Sequence, residues 1–123
     1  DGTTAWKHHL IDKKISQLHA LAWEDLNNDG KPEIITGKRY YAHSGKDRGA
    51  EDEIVIASFQ PGMDENGKVS FKKEVLHTGQ AGTGLYIQIA DLNEDGNKEI
   101  IVPGKSGTHI LWNKGTLAKK PKK

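Results

Sequence analysis

Two stretches of the chain place oxygen-bearing side chains at alternate positions, the arrangement that binds a hard cation. They are residues 25–33 and 91–99, and both have the pattern D-L-N-x-D-G-x-x-E. In each stretch a glycine stands where the backbone must turn sharply, and a glutamate follows three residues later. Calcium prefers about six to eight oxygen ligands, which a turning loop of this composition supplies. We therefore predict one calcium site in each loop, two in all.

The predicted ligands are acidic and amide side chains, together with one backbone carbonyl from each loop. The side chains are those of Asp25, Asn27, Asp29, Glu33, Asp91, Asn93, Asp95 and Glu99, and the carbonyls are those of Lys31 and Asn97. The alternative is a pair of surface turns without a metal, because Asp, Asn and Gly favour turns through local hydrogen bonds. A preference for turns alone would not place the same acidic residues at the same positions in both loops. The duplication therefore favours the metal sites.

The spacing differs from that of an EF-hand, whose closing glutamate is at position twelve of its loop and whose flanking elements are helices. Here the closing glutamate is at position nine of the pattern. Short runs rich in isoleucine follow it directly, at residues 33–36 and 99–102. Such runs are typical of strands. Each loop is therefore predicted to join two strands.

Both loops, each preceded by an apolar strand and followed by Ile-Ile, resemble the FG-GAP/VCBS repeats of secreted and cell-surface β-propellers. The resemblance covers about residues 6–113 and implies one four-stranded blade per repeat, with calcium as a structural ion. The chain departs from the D-x-D-x-D-G-x-x-D pattern of that family by asparagine at Asn27 and Asn93 and by glutamate at Glu33 and Glu99. Each asparagine removes one negative charge, which indicates the weaker affinity of extracellular calcium sites.

The predicted fold is all-β, with two four-stranded antiparallel, propeller-like blades and a calcium loop between strands two and three of each. We expect the first blade in residues 1–60, a connecting loop in 61–68, the second blade in 69–113 and a lysine-rich tail in 114–123. The loops are 91 − 25 = 66 residues apart, more than the roughly 40–50 residues of a propeller blade. Residues 37–53 are interpreted as an insertion in the first blade.

The repeat extends beyond the loops, because the same offset carries Leu10 onto Leu76 and Leu21 onto Ile87. The predicted strands are residues 6–11, 17–23, 33–36 and 54–59 in the first blade, and 69–76, 85–90, 99–102 and 108–112 in the second. Two blades do not close a propeller, which takes roughly four to eight. We therefore expect other blades as partners, supplied either by a longer chain or by further copies of this one.

The insertion gathers side chains that recognise sugars or anions, in a loop on a rigid β scaffold, where function concentrates. Its candidate ligand-binding residues are Lys38, Arg39, Tyr40, Tyr41, His43 and Arg48. Lys38 and Arg39 are suited to a carboxylate or sulfate, and the two tyrosines to the face of a sugar. His43 with a tyrosine is a candidate base and acid pair for β-elimination. The alternative is an ordinary polar loop whose tyrosines cover the edge of a blade.

Composition and charge narrow the function classes. The net charge is only +1, from 18 basic and 17 acidic residues, which argues against a nucleic-acid surface. The C-terminal lysines are interpreted as a solvated tail, with an arm that binds polyanions as the alternative. The chain has no cysteine and therefore no disulfide, thiol nucleophile or zinc–thiolate site. No stretch is long enough to cross a bilayer, and the calcium loops indicate a secreted or cell-surface location.

Three functions are consistent with these patterns. The favoured one is a calcium-stabilised repeat module for binding or adhesion, with a glycan as its ligand. The second is a structural subunit that assembles with itself into rings or fibres. The third is a fragment of a sugar lyase or dehydratase, because some FG-GAP-like propellers are similar to such enzymes. Binding is favoured over catalysis, since the sequence contains no nucleophile elbow or phosphate-binding loop.

Overall fold

The chain folds into two antiparallel β-sheets, and the computed structural model describes residues 5–115. The first sheet consists of β1 (Leu18–Glu24), β2 (Glu33–Lys38), β3 (Val55–Met63) and β4 (Val69–Thr78), in that order. The second sheet consists of β5 (Gln88–Ala90), β6 (Glu99–Gly104) and β7 (Gly107–Leu111). A short 3-10 helix, Ala42–Gly45, lies between β2 and β3. Consecutive strands are neighbours throughout each sheet.

The all-β, antiparallel prediction is confirmed, but the predicted division into two groups of four strands is not found. The sheets have four and three strands, and the predicted first strand of the second blade is β4, which pairs with β3 in the first sheet. Residues 64–68, predicted as part of a connection between blades, form the turn of this hairpin. Asp64 closes that turn by accepting the backbone N–H groups of Asn66 and Lys68, each at 2.9 Å.

The calcium-loop sequences consequently lie between the first and second strands of each sheet, β1–β2 and β5–β6, and not between the second and third. The strand predicted at residues 6–11 belongs to neither sheet. A turn at Asp12 follows this segment, where the Asp12 carboxylate accepts the N–H groups of Lys14 and Ile15. Asp12 also forms a 3.0 Å ion pair with Lys73 of β4, which holds this segment over a face of the first sheet and away from its edge.

The hydrophobic core lies between the two sheets. Along β2 the side chains alternate between two faces, and Ile35 points into the core together with Ile56 of β3; both are 0% exposed. From the second sheet, Ile100 and Val102 of β6 pack against them. We call these apposed surfaces the inner faces and the opposite surfaces the outer faces. Within residues 5–115, no helix has the length and apolar character needed to span a bilayer.

The chain between β2 and β3 spans residues 39–54, whereas Lys105 and Ser106 alone join the corresponding strands β6 and β7. An insertion in the first repeat is therefore present, shifted slightly from the predicted residues 37–53 because β2 extends through Lys38. Of the predicted lysine-rich tail, residues 116–123 lie outside the described part of the chain.

Candidate metal centre

The first loop holds its acidic side chains inward through hydrogen bonds from its own backbone. Asp25 accepts the N–H groups of Asp29 at 3.2 Å and Gly30 at 2.8 Å. Asn27 accepts the Asp29 N–H at 2.9 Å, and Asp29 accepts that of Lys31 at 2.8 Å. Gly30 has φ = 83°, a conformation that favours glycine. The loop therefore turns around its own carboxylates.

Three carboxylates meet at the centre of this loop. One oxygen each of Asp25, Asp29 and Glu33 lies within 4.8 Å of the other two. Glu33 is 4% exposed, and its Oε2 accepts the Leu26 N–H at 3.0 Å, which joins the two ends of the loop. Burial raises the pKa of Glu33, and the negative charges of Asp25 and Asp29 add to this effect. A cation bound between the three groups would relieve the repulsion among them.

A residue outside the predicted ligand set also reaches this centre. Gln60 of β3 donates from Nε2 to Asp29 Oδ2 at 2.8 Å and to Glu33 Oε1 at 3.1 Å. The first of these bonds lowers the pKa of Asp29. Gln60 follows Phe59, which pairs with Ile34, so it lies across the sheet from Glu33. The amide thus sits between two carboxylates where a cation ligand is expected, and rotation of the amide would present its oxygen to an ion.

The second loop repeats the conformation of the first. Asp91 accepts the N–H groups of Asp95 at 3.1 Å and Gly96 at 2.8 Å. Asn93 donates to Asp95 at 2.9 Å, and Asn97 donates its backbone N–H to Asp95 at 2.8 Å. That backbone hydrogen bond lowers the pKa of Asp95. Among residues 5–115, however, only the carboxylates of the first loop form a group as close as the one described above, so the second calcium site stays a prediction.

The second loop differs in the surroundings of its closing glutamate. Glu99 is 0% exposed, and its Oε2 accepts the Leu92 N–H at 2.8 Å. Its Oε1 has no hydrogen-bond partner within the described structure. The place of Gln60 is taken here by Trp112, because Leu111 pairs with Ile100. A buried carboxylate oxygen without a partner is costly, and a cation at the loop is one way to satisfy it.

The two loops lie at the same end of the molecule and contact each other. Asn28 of the first loop donates to the Gly96 carbonyl of the second at 3.0 Å. Asn113 donates to the Leu26 carbonyl at 3.0 Å and to the Lys98 carbonyl at 3.3 Å. These side-chain bonds between distant parts of the chain were not predicted from the sequence, because an asparagine in such a loop is equally suited to a local turn.

The insertion places its candidate ligand-binding residues in different environments. Lys38 is 2% exposed, and its ammonium donates to Gln17 Oε1 at 2.6 Å and to the Gly49 carbonyl. The Lys38 ammonium therefore binds acceptors within the protein and is not exposed to a ligand. Arg39 Nη1 lies 3.2 Å from His19 Nε2, and His43 Nδ1 lies 2.5 Å from Asp47 Oδ2. Arg48 is exposed.

Tyr40 and Tyr41 are each 47% exposed, with ring centroids 6.4 Å apart. They line a surface depression of about 270 Å³. The acidic residues Glu51, Asp52 and Glu53 line the same depression. Aromatic faces beside hydrogen-bond acceptors suit a neutral hydroxylated ligand better than an anion.

Comparison of the chain with models of known protein families, with curated proteins and with solved structures found no match. The resemblance of the two loops to FG-GAP/VCBS repeats therefore stays a prediction based on their residues.

We expect Gln60→Glu to raise the calcium affinity of the first loop and to lower the melting temperature of the calcium-free protein. The new carboxylate adds a charged ligand, and without an ion it adds repulsion beside Asp29 and Glu33. Calorimetric titration should show about a tenfold decrease in Kd, which corresponds to about 1.4 kcal/mol. Gln80→Glu, at an exposed position in the chain between β4 and β5, is the matched control. Equal effects of both changes would contradict a ligand role for Gln60.

The stabilisation by calcium should decrease on acidification. Because the folded pKa of Glu33 is raised, this group stabilises the calcium-free protein below its unfolded pKa, and that contribution is lost as the pH rises through the folded pKa. Protons therefore compete with calcium for Glu33. We expect the difference in melting temperature with and without calcium to shrink from about pH 7.5 to about pH 5. In Glu33→Gln the difference should depend less on pH, and an unchanged dependence would refute the assignment.

Proposed function

We propose that this chain is a calcium-stabilised repeat module of a secreted or cell-surface protein, and that its insertion binds a neutral glycan. The observation on which the calcium proposal rests is the duplicated loop, in which a buried glutamate joins both ends of an acidic turn. The same side-chain bonds recur at Asp25 and Asp91 and at Glu33 and Glu99. A turn conformation that recurs in both loops, with clustered carboxylates in the first, supports a shared ligand.

The donor set favours calcium among common cations. Its atoms are oxygens of carboxylates and amides on a flexible turn, which suit a hard cation that accepts irregular geometry. Magnesium prefers stricter octahedral geometry and fewer protein ligands. The buried oxygen of Glu99, which has no hydrogen-bond partner among residues 5–115, supports occupancy of the second loop as well. The ions act as structural groups in this proposal, each pinning the turn between two strands.

The glycan proposal depends on the depression beside Tyr40 and Tyr41. Half-exposed tyrosine rings offer flat apolar faces to sugar rings, and the neighbouring carboxylates of Asp52 and Glu53 accept hydrogen bonds from sugar hydroxyls. Of Lys38 and Arg39, the two residues predicted to hold a carboxylate or sulfate, Lys38 has its ammonium engaged within the protein. A neutral sugar therefore fits this site better than a sulfated or uronic acid sugar.

The calcium proposal predicts a higher melting temperature with calcium than with chelator. Saturation at 100-fold excess over Kd stabilises by about 2.7 kcal/mol per site, which corresponds to about 10 °C for a domain of this size. Asp29→Asn and Asp95→Asn should each reduce the increase, because each removes a charge from one loop. Asp64→Asn makes the same change in the β3–β4 turn and should leave the increase intact. An identical melting temperature in calcium and chelator would refute the proposal.

The glycan proposal predicts binding to neutral oligosaccharides on an array, with the signal reduced at least about tenfold by Tyr40→Ala or Tyr41→Ala, equivalent to about 1.4 kcal/mol. Tyr86→Ala is the matched control, because Tyr86 is 71% exposed and lies outside the insertion. Binding that survives both insertion changes would remove the depression from consideration. Preferential binding of sulfated glycans would contradict the assignment to neutral sugars.

A further inference from the structure

The two sheets differ by one strand, which leaves one edge of the second sheet open. In the first sheet β3 has β2 on one side and β4 on the other. β7 occupies the same position as β3 relative to its neighbour, but among residues 5–115 it pairs only with β6. An open edge offers unpaired backbone groups to an incoming strand.

A groove lies beside this open edge. Three adjoining cavities have volumes of about 580, 270 and 310 Å³. The first lies past the end of β7, beside Asn113 and Gly115, and the other two lie along β7. Leu76 of β4 lines all three, and Leu111 and Trp112 line the second and third. The groove thus extends along β7 over the inner face of β4, where a fourth strand of the second sheet would lie.

The repeat identifies which segment of the chain matches that strand. Subtracting the 66-residue offset from residues 72–78 of β4 gives residues 6–12, and this carries Lys73 onto Lys7 and Leu76 onto Leu10. Residues 6–12 pair with no strand in the described structure. Leu10 is 65% exposed, whereas its counterpart Leu76 packs against the core. The segment therefore corresponds in position to the fourth strand of a sheet, but it pairs with no strand among residues 5–115.

This segment does not reach the groove of its own chain. His9 and Ile11 line a cavity with Leu21, Ile34 and Phe59 on the outer face of the first sheet. The groove belongs to the second sheet, which packs on the inner face. The first sheet separates the two, so residues 6–12 do not occupy the groove of their own chain.

The outer faces of the two sheets also correspond, through the 66-residue offset, to surfaces that pack against each other inside the chain. On the outer face of the first sheet, Leu21 and Trp23 are 66% and 54% exposed, and the offset carries them onto Ile87 and Ile89, which pack in the core. Conversely, Ile35 of the inner face corresponds to Ile101 on the outer face of the second sheet. Ile110, the partner of Ile101, is 43% exposed there. The exposed faces thus correspond to those that already pack together within the chain.

We propose that a second copy of this chain binds head to tail at this edge. Residues 6–12 of the second copy add to β7 as the fourth strand, and the outer face of its first sheet covers the outer face of the second sheet of the first copy. Strand addition of this kind supplies main-chain hydrogen bonds and buries alternate side chains. The interface is heterologous, so it closes as a ring or continues as a filament. Closure with roughly four to eight sheets requires about two to four copies.

The β3–β4 pairing fixes the expected register. Ser58 pairs with both Ile35 and Glu74. Ile110 is the counterpart of Ser58, because it pairs with Ile101, which lies 66 residues after Ile35. His8 lies 66 residues before Glu74. Ile110 should therefore lie opposite His8 of the second copy.

Light scattering on the full chain tests the assembly. We expect about two to four times the mass of one chain at micromolar concentration, and reduction to one chain by Leu10→Asp. The control is Leu85→Asp, since Leu85 is 63% exposed and lies in the chain between β4 and β5, outside both sheets. Circular dichroism melting checks that both variants fold. A monomer at all concentrations, or an assembly that Leu10→Asp leaves unchanged, would overturn the proposal.

Cysteine cross-linking tests the register, because the natural chain contains no cysteine. The double variant His8→Cys, Ile110→Cys should form disulfides between successive copies under mild oxidation, seen without reductant as covalent multimers of up to about two to four chains. In the variant His9→Cys, Ile110→Cys, the shift of one residue puts the two thiols on opposite faces of the sheet, and little cross-link should form. Equal cross-linking of both variants, or more of the second, would refute the proposed register.

Discussion

In both sheets a buried glutamate carboxylate accepts the backbone N–H of a leucine seven residues earlier, and the local fold depends on this bond. Glu33 binds Leu26 and Glu99 binds Leu92. The bond joins the last residue of an acidic turn to its beginning and places that residue as the first of a strand. It also buries a negative charge next to others. A positive ion in the turn would therefore stabilise the charge and the hairpin together, which couples metal binding to folding.

The local structure was predictable because its determinants lie close together in the sequence. The spacing of acids, amides and glycine specifies the turns, and the alternation before and after them specifies strands. The pairing of strands was less predictable. Residues that interrupt regular structure, such as Pro61 and Gly67, are equally compatible with a linker between blades and with a hairpin turn. Which of the two forms depends on whether the edge of β3 is available to pair with β4. The separation of residues 6–11 from both sheets was likewise not predictable from the strand pattern, because the ion pair of Asp12 with Lys73 joins distant parts of the chain.

The site was predictable to the same extent. The acidic ligands belong to one contiguous motif, whereas Gln60 joins them through the register of β3 against β2, which no spacing within the loop encodes. The contact from Asn28 to Gly96 requires the packing of one sheet on the other. For Lys38 the sequence predicted an exposed group, whereas the structure buries it. Its position beside Arg39 and Tyr40 suggested a surface group, yet it ends a buried strand, and the carbonyl and amide oxygens around it accept its hydrogen bonds.

The buried ammonium of Lys38 closes the base of the insertion. It holds the Gly49 carbonyl beside the end of β2, and Gln17 donates to the adjacent Arg48 carbonyl at 3.0 Å. The segment between Lys38 and Arg48 is thus held at one end by its continuity with β2 and at the other by these two hydrogen bonds. Neither attachment uses the exposed side chains of the segment. Substitutions in the exposed part of the segment therefore need not affect the bonds that stabilise it. The exposed residues between these attachments can therefore diverge in sequence, and acquire new binding specificities, while the same β scaffold supports them.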